Sequence, residues 1–159
     1  MLKLKRYFNA GVFVPLSIFA ASVGSWPDKV TVRVGKKGCS EGPIFQTQVA
    51  QTNESRNKGL SGRSAPLSPT EAMAFVWPEP QKGGFFWMKD TLIPLSLLYF
   101  TSKGQLLSTY EMAVEPDPSH PVVTYPKPDE AQVALEVKAG YANQFLPVSV
   151  YVLCIKNSH

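Results

Sequence analysis

Histidine is scarce in this sequence, with only His120 and His159 among 159 residues. Neither lies in a metal-ligand spacing such as H-E-x-x-H, so the sequence does not predict a zinc site. Possible ligands for a divalent ion do lie close together in one stretch, at Glu111, Glu115, Asp117 and His120. Two prolines interrupt that stretch, and we therefore expect a solvated loop there, with no metal and no cofactor.

The sequence also lacks an apolar run of the ~20 residues that comfortably span a bilayer. Its first 25 residues instead have the order of a secretory signal peptide. Basic residues come first, at Lys3, Lys5 and Arg6, and a short apolar segment at 12–21 leads to small residues that end at Ser25. We expect cleavage after residue 25, which leaves 26–159 as one exported domain, periplasmic or extracellular. The alternative is an uncleaved segment, which would be the domain's only contact with a membrane.

Basic charge is in short supply once that segment is removed. The whole chain has 16 Lys and Arg against 12 Asp and Glu, but residues 1–25 contain three of the basic residues and none of the acidic ones. The remaining 13 basic and 12 acidic side chains give a net charge of +1. This balance does not support a nucleic-acid-binding surface, which needs a clustered basic face.

Only two cysteines are present, Cys39 in a glycine-rich turn and Cys154 in the last apolar run. An oxidising compartment permits a disulfide between them, and the alternative is a buried Cys154 with a free thiol at Cys39. Residues 38–42 of the same turn spell G-C-S-E-G, which matches the G-x-S-x-G nucleophile elbow of hydrolases. An elbow needs a following helix, whereas a strand is predicted here, and we therefore interpret these residues as a hairpin turn.

What the sequence has in quantity is short apolar runs separated by glycine, proline and polar turn residues. Their patterns predict about eight strands, at 29–34, 44–51, 73–77, 84–89, 95–100, 106–112, 133–138 and 148–154. Thr52 or Asn53 can cap one principal short helix that ends at Gly59 or Gly62. The prolines of 113–128 predict a long surface loop. The expected fold class is therefore mainly β (α+β), a small barrel or sandwich.

Polar residues at the helix and after one apolar strand are the candidates for a binding site. The candidate ligand-binding residues are Arg56, Arg63, Lys89, Asp90, Thr91 and Glu111. The basic side chains suit an anionic ligand, and residues 89–91 can line a pocket at the end of a strand. Structural pairing is the alternative for the charged residues. Phe86 and Trp87, just before residue 89, are predicted to belong to the core because aromatic side chains bury large areas.

Four strings resemble one family in order and spacing: S-R-N-K-G-L-S-G-R at 55–63, A-M-A-F-V at 72–76, F-W-M-K-D-T-L-I-P-L at 86–95 and L-E-V-K-A-G at 135–140. They are similar to the signature strings of domain of unknown function 192, a group of bacterial and archaeal domains that are often exported. The resemblance extends from about Ile44 to the C terminus. It implies a compact β-rich fold with one principal helix, and it brings no established activity or catalytic residue.

The chain departs from the pattern of that family at four positions. Ser55 replaces a glutamate, Ser61 a methionine, Asp90 an asparagine and Ser96 an aspartate. A mechanism that used the last of these carboxylates as a general base would lose its proton acceptor, since a serine hydroxyl cannot replace a carboxylate without activation.

These observations favour a non-catalytic envelope module, with no catalytic residue assigned. We expect it to bind a small molecule, a cell-wall component or an envelope protein at the face that carries Arg63, Lys89 and Asp90. One alternative is a hydrolase that uses Asp90 with Lys89 or Glu111, and another is a purely structural accessory domain. The arrangement of these four side chains in space separates the possibilities.

Overall fold

The computed structural model describes residues 12–16, 25–36 and 38–156, so most of the predicted signal peptide lies outside the described residues. The described strands are β1 (Phe13–Pro15), β2 (Lys29–Lys36), β3 (Ile44–Ala50), β4 (Glu71–Val76), β5 (Phe85–Phe86), β6 (Leu95–Thr101), β7 (Leu106–Met112), β8 (Tyr125–Pro126), β9 (Ala131–Lys138) and β10 (Tyr151–Lys156). One α-helix, α1 (Asn53–Lys58), and two 3-10 helices, Ala142–Phe145 and Val148–Val150, accompany them. The mainly β class with one principal helix is confirmed. No helix in these described ranges is long and apolar enough to cross a membrane.

Eight of the strands form one sheet, in the order β1-β10-β2-β3-β4-β9-β6-β7. Neighbours in this order run antiparallel, and the exception among the described strands is the parallel pair β3 and β4. The helix α1 lies in the connection between these two parallel strands. β5 and β8 form a separate two-stranded ribbon. The described strands leave the sheet open, with one isolated bridge from Gln105 to Val152, so the sandwich alternative fits and no closed barrel forms.

The sheet is apolar on both faces. Successive residues of β6 alternate between two clusters, with Leu98 and Phe100 in the first and Leu97 and Tyr99 in the second. The first cluster also contains residues of β2, β3, β4, β7, β9 and β10. The second cluster is completed by residues from outside the eight-stranded sheet: Leu60, Leu67, Met88, Ile93 and Tyr125. Every residue from Leu95 to Phe100 is buried, and β6 lies between β9 and β7. The unbroken apolar run of β6 therefore belongs to an internal strand of the sheet.

Three details of the sequence prediction were wrong: the length of the strand at 84–89, the core position of Trp87 and the start of the last strand. The run 84–89 is a strand only at Phe85–Phe86, because a turn closes at once, with the Thr91 amide donating to the Met88 carbonyl at 3.1 Å. Trp87 is 48% exposed, while Met88 is fully buried, because neighbouring side chains of an extended segment point to opposite sides. The last strand begins at Tyr151, since the three residues before it form a 3-10 helix.

The two cysteines form a disulfide that joins the β2–β3 turn to β10. The Cα atoms of Cys39 and Cys154 lie 5.9 Å apart, within the range that a disulfide requires. The turn itself bears out the hairpin interpretation of residues 38–42. A side chain at Gly42 would lie 2.1 Å from the carbonyl oxygen of Val34, so the two strands can approach only with glycine there. The G-x-S-x-G match is therefore a consequence of turn geometry.

Candidate functional site

Asp90 ties three loops together through its backbone. Its carbonyl oxygen accepts from the Gly62 amide at 2.7 Å, and its own amide donates to the Pro118 carbonyl at 2.7 Å. Its φ of 52° lies in the left-handed region, which asparagine and aspartate tolerate better than other residues with a side chain. Asparagine and aspartate both suit this conformation, so the backbone accounts for the residue type at position 90 without a role for a carboxylate.

The two residues beside Asp90 are held locally. The ammonium of Lys89 lies over the Trp87 ring, 5.5 Å from its centroid, in a cation–π contact. Thr91 is buried, and its hydroxyl donates to the Lys89 carbonyl oxygen at 3.2 Å. These three residues therefore form a tight turn that ends the ribbon, and Lys89 is the one whose charge lies beside an exposed ring.

Arg63 forms a bidentate ion pair with Glu71. Its Nη1 and Nη2 lie 2.8 and 2.9 Å from the two carboxylate oxygens, and its Nε donates to the Ala65 carbonyl at 2.8 Å. The Arg63 hydrogen bonds hold the pKa of Glu71 below its ordinary value, although burial acts in the opposite direction. The Arg63 guanidinium thus links the turn that follows α1 to Glu71 at the start of β4.

Arg56 fastens the helix to the carboxyl ends of β3 and β4. Its Nη1 donates to the carbonyl oxygens of Gln51 and Val76 at 2.8 and 2.7 Å, and its guanidinium lies 5.7 Å from the Trp77 ring centroid. Burial lowers the pKa of Arg56 from its ordinary value. Both arginines of the candidate set therefore make structural pairs.

Glu111 lies in a separate polar cluster with Ser96, its partner across β6 and β7. The Ser96 hydroxyl donates to the carboxylate at 2.9 Å, and the amides of Gly140 and Ala142 donate to the same carboxylate at 3.0 and 2.9 Å. The Ser96 oxygen also accepts from the Tyr141 amide at 2.9 Å. Ser96 and the Glu111 carboxylate from the neighbouring strand therefore together accept the amides of the 140–142 turn. The sequence did not reveal this contact between Ser96 and Glu111.

The six candidate residues do not share one set of contacts. Asp90 contacts Gly62 and the 118 loop, the arginines pair locally, and the carboxylate of Glu111 faces the 140–142 turn. In the loop predicted at 113–128, Asp117 forms hydrogen bonds with Ser119 and His120. These hydrogen bonds lower the pKa of Asp117, and the one from Ser119 has the larger effect. The described ranges contain no group of three His, Cys, Asp or Glu side chains placed to hold a metal ion.

Sequence reasoning missed a buried carboxyl group at Glu136. This residue lies in β9 opposite Met73 on β4 and Leu97 on β6, and its side chain is 5% exposed. Its Oε2 has no hydrogen-bond partner within the described part of the chain, and burial raises the pKa of Glu136 to about 8. Alternation along β9 places it on the face opposite Leu135, but only the loops packed on that face make the position a buried one.

Exposed apolar side chains gather on the β5–β8 ribbon. We define the ribbon surface by four exposed residues on or next to this ribbon: Phe85 (55% exposed), Trp87 (48%), Val122 (85%) and Val123 (45%). The rings of Phe85 and Trp87 pack edge to face with centroids 5.8 Å apart, and the two valines precede β8, which pairs with β5. Beneath them, Phe86 packs on Phe75 and Tyr99, so the ribbon is anchored to the second cluster.

A family model and two solved structures resemble this chain. The model of DUF192, described as uncharacterized ACR, matches residues 36–146. A candidate transcription regulator from Sinorhizobium meliloti 1021 is 23% identical with a TM-score of 0.63, over 82% of this chain and 96% of that one. A protein of unknown function from Novosphingobium aromaticivorans DSM 12444 is also 23% identical with a TM-score of 0.63, over 79% and 82%. These two likenesses show the fold alone, and the search of curated proteins found no significant match.

Proposed function

The chain belongs to the family of domain of unknown function 192, and from that premise we propose that it is an exported, non-catalytic module that binds another envelope protein through the ribbon surface. The observation that carries this proposal is the exposure of Trp87, which is about half accessible although the surrounding run is apolar. Keeping a large aromatic side chain in water has no benefit for folding, so its exposure calls for a partner.

The chemistry of the ribbon surface suits a protein partner. Tryptophan and phenylalanine are enriched among the residues that dominate binding energy at protein interfaces, and they are most effective next to aliphatic side chains that exclude water. Val122 and Val123 are exposed aliphatic residues of the segment that leads into β8, the strand that pairs with β5. Lys89, held over the Trp87 ring, adds one positive charge beside the apolar area. We therefore expect an apolar patch with an acidic residue at its edge on the partner.

The contacts of the charged candidates favour binding over hydrolysis. A general base must be free to accept a proton from its substrate, whereas the Glu111 carboxylate already accepts from Ser96, Gly140 and Ala142. Asp90 occupies a position that its backbone conformation explains. The hydrolase alternative would have to rest on Asp90 and Lys89 alone, and the accessory-domain alternative does not explain the exposed aromatic pair.

Photo-crosslinking in the native host tests the proposal. Benzoylphenylalanine is placed in the full chain at Trp87, at Val122 and, as a matched control, at Lys103, an exposed residue of the β6–β7 turn. We expect the same single protein adduct from Trp87 and Val122 and none from Lys103. With the identified partner in purified form, Trp87→Asp should weaken binding by ~30-fold, as expected for an interface residue worth ~2 kcal/mol, and Lys103→Asp should leave it unchanged.

Two results would overturn this assignment. The same adducts from all three positions, or none from the ribbon, would show that the ribbon surface has no specific partner. An adduct at twice the mass of the chain would assign the surface to self-association instead.

A further inference from the structure

A short strand from the apolar segment near the start of the chain covers the outer edge of β10. The three residues of β1, Phe13–Pro15, pair antiparallel with Cys154–Lys156. Proline is tolerated here because an edge strand does not need its missing amide for an outer neighbour. The backbone groups of β10 on this side are therefore satisfied by residues of the predicted signal segment and by no other described strand.

An aromatic side chain is recognised at one end of this short strand. The guanidinium of Arg33 lies 4.2 Å from the centroid of the Phe13 ring, close enough for a strong cation–π contact. Arg33 is itself held in place, since its Nη1 donates to the Cys39 carbonyl at 2.6 Å. The disulfide at Cys39 in turn fixes that carbonyl beside β10. The outer edge of β10 thus has a preformed position for an aromatic side chain beside Arg33.

A leucine is recognised three residues further on. Leu16 is 1% exposed and belongs to the first apolar cluster. Gly104 makes room for it, because a side chain there would lie 2.9 Å from the Leu16 Cβ and 2.7 Å from the Leu153 carbonyl oxygen. Beside this position lies a cavity of about 320 Å³, lined by Leu16 together with Trp26 and Val133. The leucine therefore fills a defined hole in the core at the end of the groove.

We propose that the outer edge of β10, Arg33 and the Leu16 hole form a peptide-binding groove for an extended segment of another protein with an aromatic residue followed three positions later by leucine. In the full chain Phe13–Leu16 fills this groove from within. Cleavage before Trp26, which the sequence predicts, would remove these residues and expose an unpaired edge and an apolar hole. Adding a strand to such an edge is a common mode of peptide recognition, in which backbone hydrogen bonds give affinity and side-chain holes give specificity.

The built-in segment should also block the groove for as long as it is attached. A segment joined by a short linker competes at an effective concentration on the order of millimolar, so a free peptide at micromolar concentration binds only when the attached one is displaced. This groove lies on other elements than the ribbon surface, so it would be a second site, independent of the function proposed above.

Displacing the attached segment in the full chain tests the groove. The probe is a labelled peptide with the sequence of residues 11–17, followed by fluorescence anisotropy. Leu16→Asp puts a charge in the core position and releases the attached strand, whereas Val12→Asp changes a residue that is exposed just before β1. We expect the Leu16→Asp chain to bind the peptide at least tenfold more tightly than the wild-type or the Val12→Asp chain. A peptide that carries the same Leu16→Asp change should lose at least tenfold.

A second variant decides the matter if Leu16→Asp fails to fold. In it a site-specific protease site replaces residues 18–24 while 12–16 remain unchanged, and the segment is cut after folding. Peptide binding should appear only after the cut, and the bound peptide should restore the protection from hydrogen exchange that the attached strand gives the β10 amides in the uncut chain. No binding to either folded variant, or equal binding to the uncut wild-type chain, would overturn the proposal.

Discussion

Glu136 makes the stability of this domain fall as the pH rises, in the opposite direction to a paired surface carboxylate. The unfolded chain ionises this group near its ordinary pKa of 4.5, whereas burial raises the folded-state pKa to about 8. Between these values the folded state holds a proton that the unfolded state has lost. The contribution of Glu136 to stability is therefore fully present below about pH 4.5 and is lost progressively as the pH rises to about 8.

The size of this effect follows from the two pKa values. Each pH unit in that window removes about 1.4 kcal/mol from the free energy of unfolding, which gives about 5 kcal/mol over the whole window. That is a large fraction of the ~5–15 kcal/mol that stabilises an ordinary domain. Above about pH 8 the group adds no further slope, because both states are then ionised.

Urea unfolding of wild-type and Glu136→Gln chains at pH 5, 6, 7 and 8 measures the effect, with the disulfide kept intact. The glutamine cannot ionise, so its curve should be flatter by about 1.4 kcal/mol per pH unit. At pH 5 the variant should be less stable by about 1–2 kcal/mol, because its amide is buried without partners. At pH 8 it should be the more stable of the two by about 3 kcal/mol.

Two further variants isolate the cause. Glu79→Gln changes an exposed glutamate and should leave the pH dependence of the wild type intact. Glu136→Met removes the polar group at similar volume and should remain stable across the whole pH range. A difference between wild type and Glu136→Gln that stays constant from pH 5 to 8 would refute the reasoning, since it would mean that the buried carboxyl does not change its ionisation on folding.

Three other predictions address the disulfide, the polar cluster and the strained turn. Reduction of the Cys39–Cys154 disulfide should lower the free energy of unfolding by about 4–5 kcal/mol, which is the loop-closure value for a separation of 115 residues. An unchanged urea midpoint in dithiothreitol would contradict this prediction. Ser96→Asp should cost about 2–3 kcal/mol because it sets a second carboxylate against Glu111, and Glu111→Gln added to it should recover most of the loss. Strictly additive effects in that double-mutant cycle would show that the two side chains do not interact. Asp90→Asn should leave the thermal midpoint nearly unchanged. Asp90→Ala should lower the free energy of unfolding by about 1 kcal/mol, because alanine disfavours the left-handed backbone conformation. Equal losses for the two variants would argue against that explanation.

Much of the fold could be predicted because local patterns carry it. The alternation in β2 and β9, the unbroken apolar run of β6 and the cap at Thr52 each depend on neighbours within a few residues. The candidate site was harder to predict. The partner of Arg63 is eight residues away and that of Glu111 lies on the preceding strand, so their pairing depends on turns and register that no local pattern gives.

The sequence by itself determined the family, the mainly β class, the single helix and the turn at 38–42, because periodicity, caps and glycine positions act over short distances. Only the tertiary structure decided which faces of the strands are covered. Both Glu136 and Trp87 lie in apolar surroundings in the sequence. The loops of the second cluster cover the face of β9 that carries Glu136, and this residue is therefore buried, whereas Trp87 remains about half exposed. The pairing of Cys39 with Cys154 and the pairing of the β10 edge with Phe13–Pro15 also depend on the tertiary structure. A residue's pattern shows which neighbours share its side of a strand, but burial depends on what the rest of the chain brings to that side.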